Sequence, residues 1–580
     1  MLRQNVVRPL SSVPGIVWLI LALHLGVVLW QTAAFPNFRS PDERQHADLV
    51  AMVARGEAWP WPAPGTLHLS TGSGAGGFTR SNRIDGPLRL ADADIPPRAD
   101  RPSYTEAGGT TPQPRQPANQ LVQHPPLYYL AGAAVLALVP GWDEIPFDRA
   151  FLALRWWNAA LTAALPLLLW AVARRLGLPE PLPVAAALVP LAIPELTHTE
   201  SAVNNDNLLL VLCAGLTLLV ARVLTGDLRR RTALAAGAVG SLALLTKGFA
   251  LLVPAWLGLA YLVAAVRTPG SRRRAAGSLA VALLATAPGL AWWLRNKLVY
   301  GSVQPHGRYT EMPALTPRYG FADGGTEWAV RLLERLNTLF FVHDQTGDRL
   351  HHGPWWMAVV AGATVVAGVA VTLARRSLPA ATALVLLFPV AGLLAIVAKG
   401  SYEHFAAYGT YGGMQGRHLY GGLAGLVVLA VAAVPRRARR FAPLAVLLFA
   451  AAIQAVYLAY TLRLFWLPAT GDLGAAVRAV FTWYALPPAV LAAVVAAVVA
   501  SSVATLVATA RLARRPAPPA TGDPLPRPPR QPAVARSAAV TALRNSIATV
   551  VGPTPPTRGV IAPATSAQDS STSGSSRRPA

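Results

Sequence analysis

Ser40-Pro41-Asp42-Glu43-Arg44-Gln45-His46 is the first stretch whose residue types and spacing allow chemistry. It lies a few residues beyond an apolar run, so Asp42 and Glu43 sit near the edge of the apolar phase that the run occupies. A carboxylate at such a boundary acts as a general base when its pKa suits the proton it takes. The same residues also read as a helix start, with Ser40 or Asp42 as N-cap and Pro41 in the first turn. The two roles are compatible. A second polar group, Pro194-Glu195-Leu196-Thr197-His198-Thr199-Glu200, joins two later apolar runs, and Asn204-Asn205-Asp206-Asn207 opens the second of them. Asn and Asp there are ordinary caps. Glu195, His198 and Asp206 are also a donor set for a divalent cation, the one cofactor these residues raise.

Lysine and arginine add a second kind of chemistry. Of 51 basic residues only Lys247, Lys297 and Lys399 are lysine. Lys247 falls in a tight turn between two apolar runs, and Lys297 follows Arg295-Asn296. Arg417 falls in Gln415-Gly416-Arg417-His418. A cation at a membrane helix end is expensive without a partner. A lipid phosphate is the natural one, because lysine is a compact phosphate-binding charge. The plainer alternative is snorkelling of the side chain to the interface.

The elements that must position these groups are apolar helices. The 580 residues are 53% hydrophobic and 13% charged, with mean hydropathy +0.39; soluble domains carry about a quarter charged residues. Twelve stretches read as membrane spans: 12–33, 154–173, 182–198, 206–221, 232–246, 248–266, 276–294, 355–374, 378–398, 418–434, 441–461 and 484–510. Arginine clusters at 174–175, 222–231, 267–274, 375–376 and 436–440 then fall on one side, which the positive-inside rule makes cytoplasmic together with both termini. The first span is too long for a signal-peptide core and reads as an uncleaved helix. The expected architecture is an all-α polytopic membrane protein with its transmembrane domain over 1–510. Large outer loops follow at 34–153 and 295–354, and a basic Pro/Ser-rich disordered cytoplasmic tail at 511–580. Leu121 to Val139 is too short and proline-flanked to span, and reads as a juxtamembrane or re-entrant helix along the outer surface. The net charge of +24 then describes orientation and a tail, not nucleic-acid binding. The lone Cys213, in an apolar run, reads as buried and inert.

Motifs spread over roughly residues 12–300, with an echo at 400–420, resemble the GT-C glycosyltransferases that use polyprenyl-phosphate sugars. The likeness is to the branch of protein O-mannosyltransferases, aminoarabinose transferases and arabinofuranosyltransferases, or to a related family of membrane proteins without assigned function. Asp42-Glu43 resembles the acidic motif after the first helix, and His124-Pro125-Pro126-Leu127-Tyr128-Tyr129 the "(Q/H)PPLYY" segment. Arg155-Trp156-Trp157-Asn158 is similar to "RLLN", Asn205-Asp206 to the polar start of helix four, and Thr246-Lys247-Gly248 to the "TK" turn. Arg295-Asn296 with Tyr300-Gly301 resembles "RN…YG", and Gln415-Gly416-Arg417-His418 resembles "QGRYL" with His418 in place of tyrosine. The first loop is long for the family and holds a Gly/Ser-rich stretch, Thr71 to Gly77, and a Pro/Arg-rich stretch near 96–117.

The resemblance implies a GT-C-like bundle and inverting transfer of a sugar to an envelope glycan, lipid or protein. The reaction would take place at the outer face of a bacterial plasma membrane. It implies Asp42 and Glu43 as the catalytic motif, with Asp42 the base. Lys247 would hold the donor phosphate, helped by Arg295 or Arg417. His46, His124, Tyr128, Arg155 and Asp206 would shape the pocket and the acceptor side. Two other readings stay open: a transporter or flippase of a lipid-linked intermediate, and a non-catalytic scaffold of the same layout. Transporters of this kind show related halves and interrupted helices near the midplane, and neither is evident in the sequence. The glycosyltransferase reading expects Asp42, Asp206, Lys247 and Arg295 to converge on one outer-face cavity, and loses most of its support if they lie far apart around the rim.

Overall fold

The computed structural model describes residues 13–59, 61–70, 90–92, 96–109, 118–305, 321–336, 338, 340, 342–346, 349–352, 355–409 and 412–514. Each of the twelve apolar stretches forms helix. Helix α1 (Gly15–Ala34) begins after the extended Pro14 and ends at Phe35, which precedes Pro36 and is pushed out of the helical region. Helix α2 (Glu43–Ala54) follows, then α3 (Leu127–Ala137), α4 (Phe147–Thr162), α5 (Leu165–Arg175) and α6 (Leu182–Leu188). The chain continues through α7 (Pro194–Ser201), α8 (Asn205–Leu224), α9 (Arg230–Leu244), α10 (Val253–Arg267) and α11 (Arg272–Tyr300). After α12 (Phe321–Leu336) a small antiparallel hairpin pairs β1 (Val342–Thr346) with β2 (Arg349–His352). The last helices are α13 (Trp355–Ala374), α14 (Ala380–Tyr408), α15 (Leu423–Ala432), α16 (Ala442–Thr461), α17 (Leu473–Trp483) and α18 (Pro488–Arg514).

Among the described residues eight helices are long and apolar enough to cross a membrane, or nine if a bent pair counts as one span. Twelve crossings are not reached by that measure. Helix α9 has 15 residues, and the apolar stretch Gly416–Ala432 is also shorter than a full crossing. Within the stretch Leu121 to Val139, Pro125-Pro126 separates a 3-10 turn at Gln120–Gln123 from α3, whose 11 residues are too few to span. Of the expected tail, α18 runs to Arg514 and residues 515–580 lie outside the described residues, as do 71–89 and 110–117 of the first loop.

The expected span 182–198 is broken. Pro190 sits in a 3-10 turn, Pro194 starts α7, and the two parts meet at 68°. Every residue of α7 is buried, so its polar side chains are not in an outer turn facing water. Helix α1 satisfies them: Gln31 Nε2 donates to Thr197 Oγ1 at 2.9 Å, and His24 Nε2 lies 2.8 Å from Glu200 Oε2. Helices α9 and α11 approach closely because glycine faces backbone. A Cβ on Gly237 would lie 2.2 Å from Ala282 O, and one on Gly289 would lie 2.7 Å from Ser241 O. At the far end of α8 from Asp206, Arg222 and Arg229 close on Asp227 at 2.8 Å each. The helical rise separates the two ends by about 25 Å.

Candidate active site

The turn from α1 to α2 is held on all sides. Arg155 of α4 is 1% exposed and donates to the carbonyls of Thr32, Phe35 and Pro36 at 2.7–3.1 Å, which covers groups that the end of α1 leaves unpaired. It also forks onto Glu43, with Nε to Oε1 at 2.8 Å and Nη2 to Oε2 at 2.7 Å. Glu43 further accepts the Phe38 N–H at 3.0 Å and the Val203 N–H at 3.1 Å. Phe38 and Asp42 both have left-handed backbones, φ 63° and 59°. Such conformations cost about 1 kcal/mol or more outside glycine and persist where the surroundings over-determine them. Asp42 is the N-cap residue of α2, yet its side chain makes no capping bond. The capping explanation therefore fails for its carboxylate.

That carboxylate reaches across the bundle. Asp42 Oδ2 meets Arg417 Nη2 at 2.6 Å, and Oδ1 accepts from Gln120 Nε2 at 3.3 Å. Arg417 Nε lies 3.2 Å from Asp206 Oδ2, and Asp206 Oδ1 meets Lys247 Nζ at 2.6 Å. Two carboxylates and two cations thus alternate from α2 through the 3-10 turn Gly416–Gly422 and the start of α8 to the α9–α10 turn. Lys247 also lies 5.3 Å from the centroid of Phe249. Asp206, Lys247 and Arg417 are buried, whereas the Asp42 side chain is 27% exposed. Of these four side chains, only that of Asp42 opens to the surroundings. The charges nearly cancel, which is how cations are tolerated at depth.

The other expected site residues divide. His46, in α2, is buried with Nδ1 3.2 Å from the Tyr129 hydroxyl, its ring stacked on that of Tyr129. Burial first, and then the Lys247 charge, hold its pKa well below the usual imidazole value, so it is neutral. His124 is buried close enough for its charge to act on His46. Tyr128 is fully buried beneath, its hydroxyl donating to Asn158 at 3.0 Å. Arg155 and Glu43 brace the turn and have no free faces toward a substrate. Of the four groups expected to converge, Asp42, Asp206 and Lys247 do so, joined by Arg417; Arg295 does not, and is exposed over Trp292 and Tyr300 at 5.4 and 5.6 Å. Lys297 and Lys399 are exposed as well: Lys297 Nζ donates to Gly301 O at 2.8 Å, and Lys399 pairs with Glu403.

Glu195, His198 and Asp206 are not gathered around one point. Glu195 faces His198, and Asp206 is neutralised by Lys247 and Arg417, so these residues do not fit a divalent cation. Among the described residues no three His, Cys, Asp or Glu side chains are placed to hold a metal ion.

Gln120, Asn204 and Ser40 were not singled out from the sequence as site groups. Asn204 caps α8 through the Asp206 N–H and donates to Pro41 O at 3.3 Å, tying Asp206 to the Asp42 turn. A helix-cap signature at Asn204 was readable, but its second partner, 163 residues away, was not. Part of the Pro/Arg-rich stretch is also anchored. Arg98 and Arg101 donate to the carbonyls of residues 481–484 at the end of α17.

Comparison with known proteins supports the motif reading. Residues 123–292 match the sequence model of the dolichyl-phosphate-mannose-protein mannosyltransferase family. The chain resembles the GT-C glycosyltransferases. Among solved structures it is similar to ArnT from Cupriavidus metallidurans bound to undecaprenyl phosphate, at 15% identity over 86% of this chain and 76% of that one, with TM-score 0.43. It is also similar to the apo oligosaccharyltransferase of Archaeoglobus fulgidus, at 13% identity over 83% of this chain and 55% of that one, with TM-score 0.35. No curated protein matches the sequence.

Proposed function

We propose that the protein transfers a sugar from a polyprenyl-phosphate donor to an envelope acceptor at the outer face of the plasma membrane, with inversion. The observation that carries this reading is the unbroken chain Asp42–Arg417–Asp206–Lys247. It sets a partly exposed carboxylate beside two cations of the kind that bind phosphate. The family match over 123–292 supports the coarser statement, glycosyl transfer.

In this mechanism the donor phosphate meets Lys247 and Arg417. Lys247 has three N–H donors and Arg417 five, so both keep donors for phosphate while holding Asp206. Charge grows on the phosphate as the glycosidic bond breaks, and cations fixed beforehand favour that state over the ground state. A phosphate on Arg417 competes with Asp42 for the guanidinium. Asp42 is thereby released to take the proton of the acceptor hydroxyl as it attacks the anomeric carbon. A single base with direct attack inverts that carbon. Arg295, away from this cluster, is assigned no phosphate role.

The test starts from a deletion strain, in which mass spectrometry of envelope glycans and lipid-linked sugars identifies the missing product and the accumulated donor. Reintroducing Asp42→Asn should leave product formation lower by roughly 100-fold or more. Lys247→Ala should lower apparent donor affinity. Full product with Asp42→Asn at normal expression would remove Asp42 as the base.

A further inference from the structure

Helix α7 presents a second charge-linked arrangement to the same turn. Ser40 Oγ lies 2.7 Å from His198 Nε2, and His198 Nδ1 lies 3.2 Å from Glu195 Oε2. All three side chains are buried, and the His198 ring stacks on Phe35 at 3.7 Å between centroids, 17° from parallel. An ionised Glu195 only accepts hydrogen bonds, so it places the imidazole proton on Nδ1 and leaves Nε2 to accept the Ser40 O–H. Serine, histidine and carboxylate in this order resemble a nucleophile triad. Ser40 is only 5% exposed, however, and its hydroxyl points into the bundle, where no acyl group could reach it.

We infer that Ser40, His198 and Glu195 form a positioning relay that aims Asp42 at Arg417 and at the acceptor; this rests on the reading of Asp42 as the base. Ser40 stands two residues before Asp42, and its carbonyl accepts the Glu43 N–H at 3.2 Å. The relay therefore fixes the backbone on one side of the left-handed Asp42, while Glu43 and Arg155 fix the other side. Helix α7 reaches this position only because the chain bends at Ile193-Pro194. Glu195 N–H, donating to Phe340 O at 3.2 Å, ties the relay to the second long loop.

The experiment uses the full chain in nanodiscs and in the deletion strain. Ser40→Ala should raise hydrogen exchange over residues 38–45 by about tenfold and lower product formation by roughly 10- to 100-fold, the scale of a misplaced reacting group. Ser40→Thr, which keeps the hydroxyl, should restore both. His198→Gln should reproduce the Ser40→Ala loss, and combining the two should add little, since both remove one coupled device. Unchanged exchange in Ser40→Ala would overturn the relay alone, as would full product formation when Asp42→Asn is inactive. Losses that multiply in the double variant would also overturn it. Full activity of Asp42→Asn would instead sink the base assignment, and the relay's purpose with it.

Discussion

At the residue scale, the site works by pairing each buried charge. Asp206 neutralises Lys247 and lies against Arg417 in a region with little water. Asp206→Asn leaves two cations facing one carboxylate, and breaking a buried pair in this way costs about 3–5 kcal/mol. The expected outcome is a large fall in thermal stability in detergent, partly recovered by added polyprenyl phosphate, whose charge replaces the missing one. His46 gives a prediction of opposite kind. Its folded pKa is depressed by burial and by Lys247. Below pH ~6.5 the unfolded chain takes up a proton that the folded chain refuses, so stability is full above that pH and falls as pH drops. His46→Gln should flatten the fall in Tm between pH 7 and 5; an unchanged slope would show that other groups govern acid sensitivity. Asp42 and Lys247 were legible in the sequence because each departs from its surroundings, a carboxylate just past an apolar run and a lysine in a tight turn among arginine-rich loops. Their mutual link was not, since it runs through Asp206 and through Arg417, which lies 375 residues from Asp42.

At the element scale, the α1–α2 turn depends on a side chain from α4. Arg155 meets three carbonyls and Glu43, so Arg155→Met orphans a buried carboxylate and should cost about 3–5 kcal/mol. Arg155→Met with Glu43→Leu should recover part of that loss but not activity, because the carbonyls and the Asp42 backbone stay unbraced. Chemical denaturation of the single and double variants measures the coupling. If the two losses simply add, the pair does not brace the turn. The sequence showed Arg155 and Asn158 three residues apart, on one helical face. It could not show that this face meets the turn rather than a substrate. Helix α7 was misread for a related reason. An apolar run with Pro190 and Pro194 inside it permits either a straight span or a break, and polar residues at its end permit either water or a buried partner. His24 and Gln31, embedded in the apolar α1, are the partners that decided it.

At the scale of the whole molecule, orientation follows from where the arginines gather. Arg222 and Arg229 close on Asp227 at the end of α8 remote from Asp206, so site and arginine knot lie at opposite ends. In the proposed orientation, with the arginine knot on the cytoplasmic side, Asp42 lies outside. Thr225→Cys and Trp59→Cys probe this directly, because both positions are exposed and the native Cys213 is buried. A membrane-impermeant maleimide on intact cells should label the Trp59→Cys protein and spare the Thr225→Cys protein. The reverse pattern would place the site in the cytoplasm.

Composition and periodicity alone determined that this chain is a bundle of apolar helices, because hydropathy is a local sum that needs no partner. They also located the polar helix ends, where residue type breaks the run. Which polar groups meet was decided only by tertiary structure. Burial forces each charge to find a counter-charge, and the nearest one in space is set by how helices pack, not by spacing along the chain. So Arg417 joined Asp42 and Asp206, whereas Arg295, in a motif of equal promise, was left at the rim.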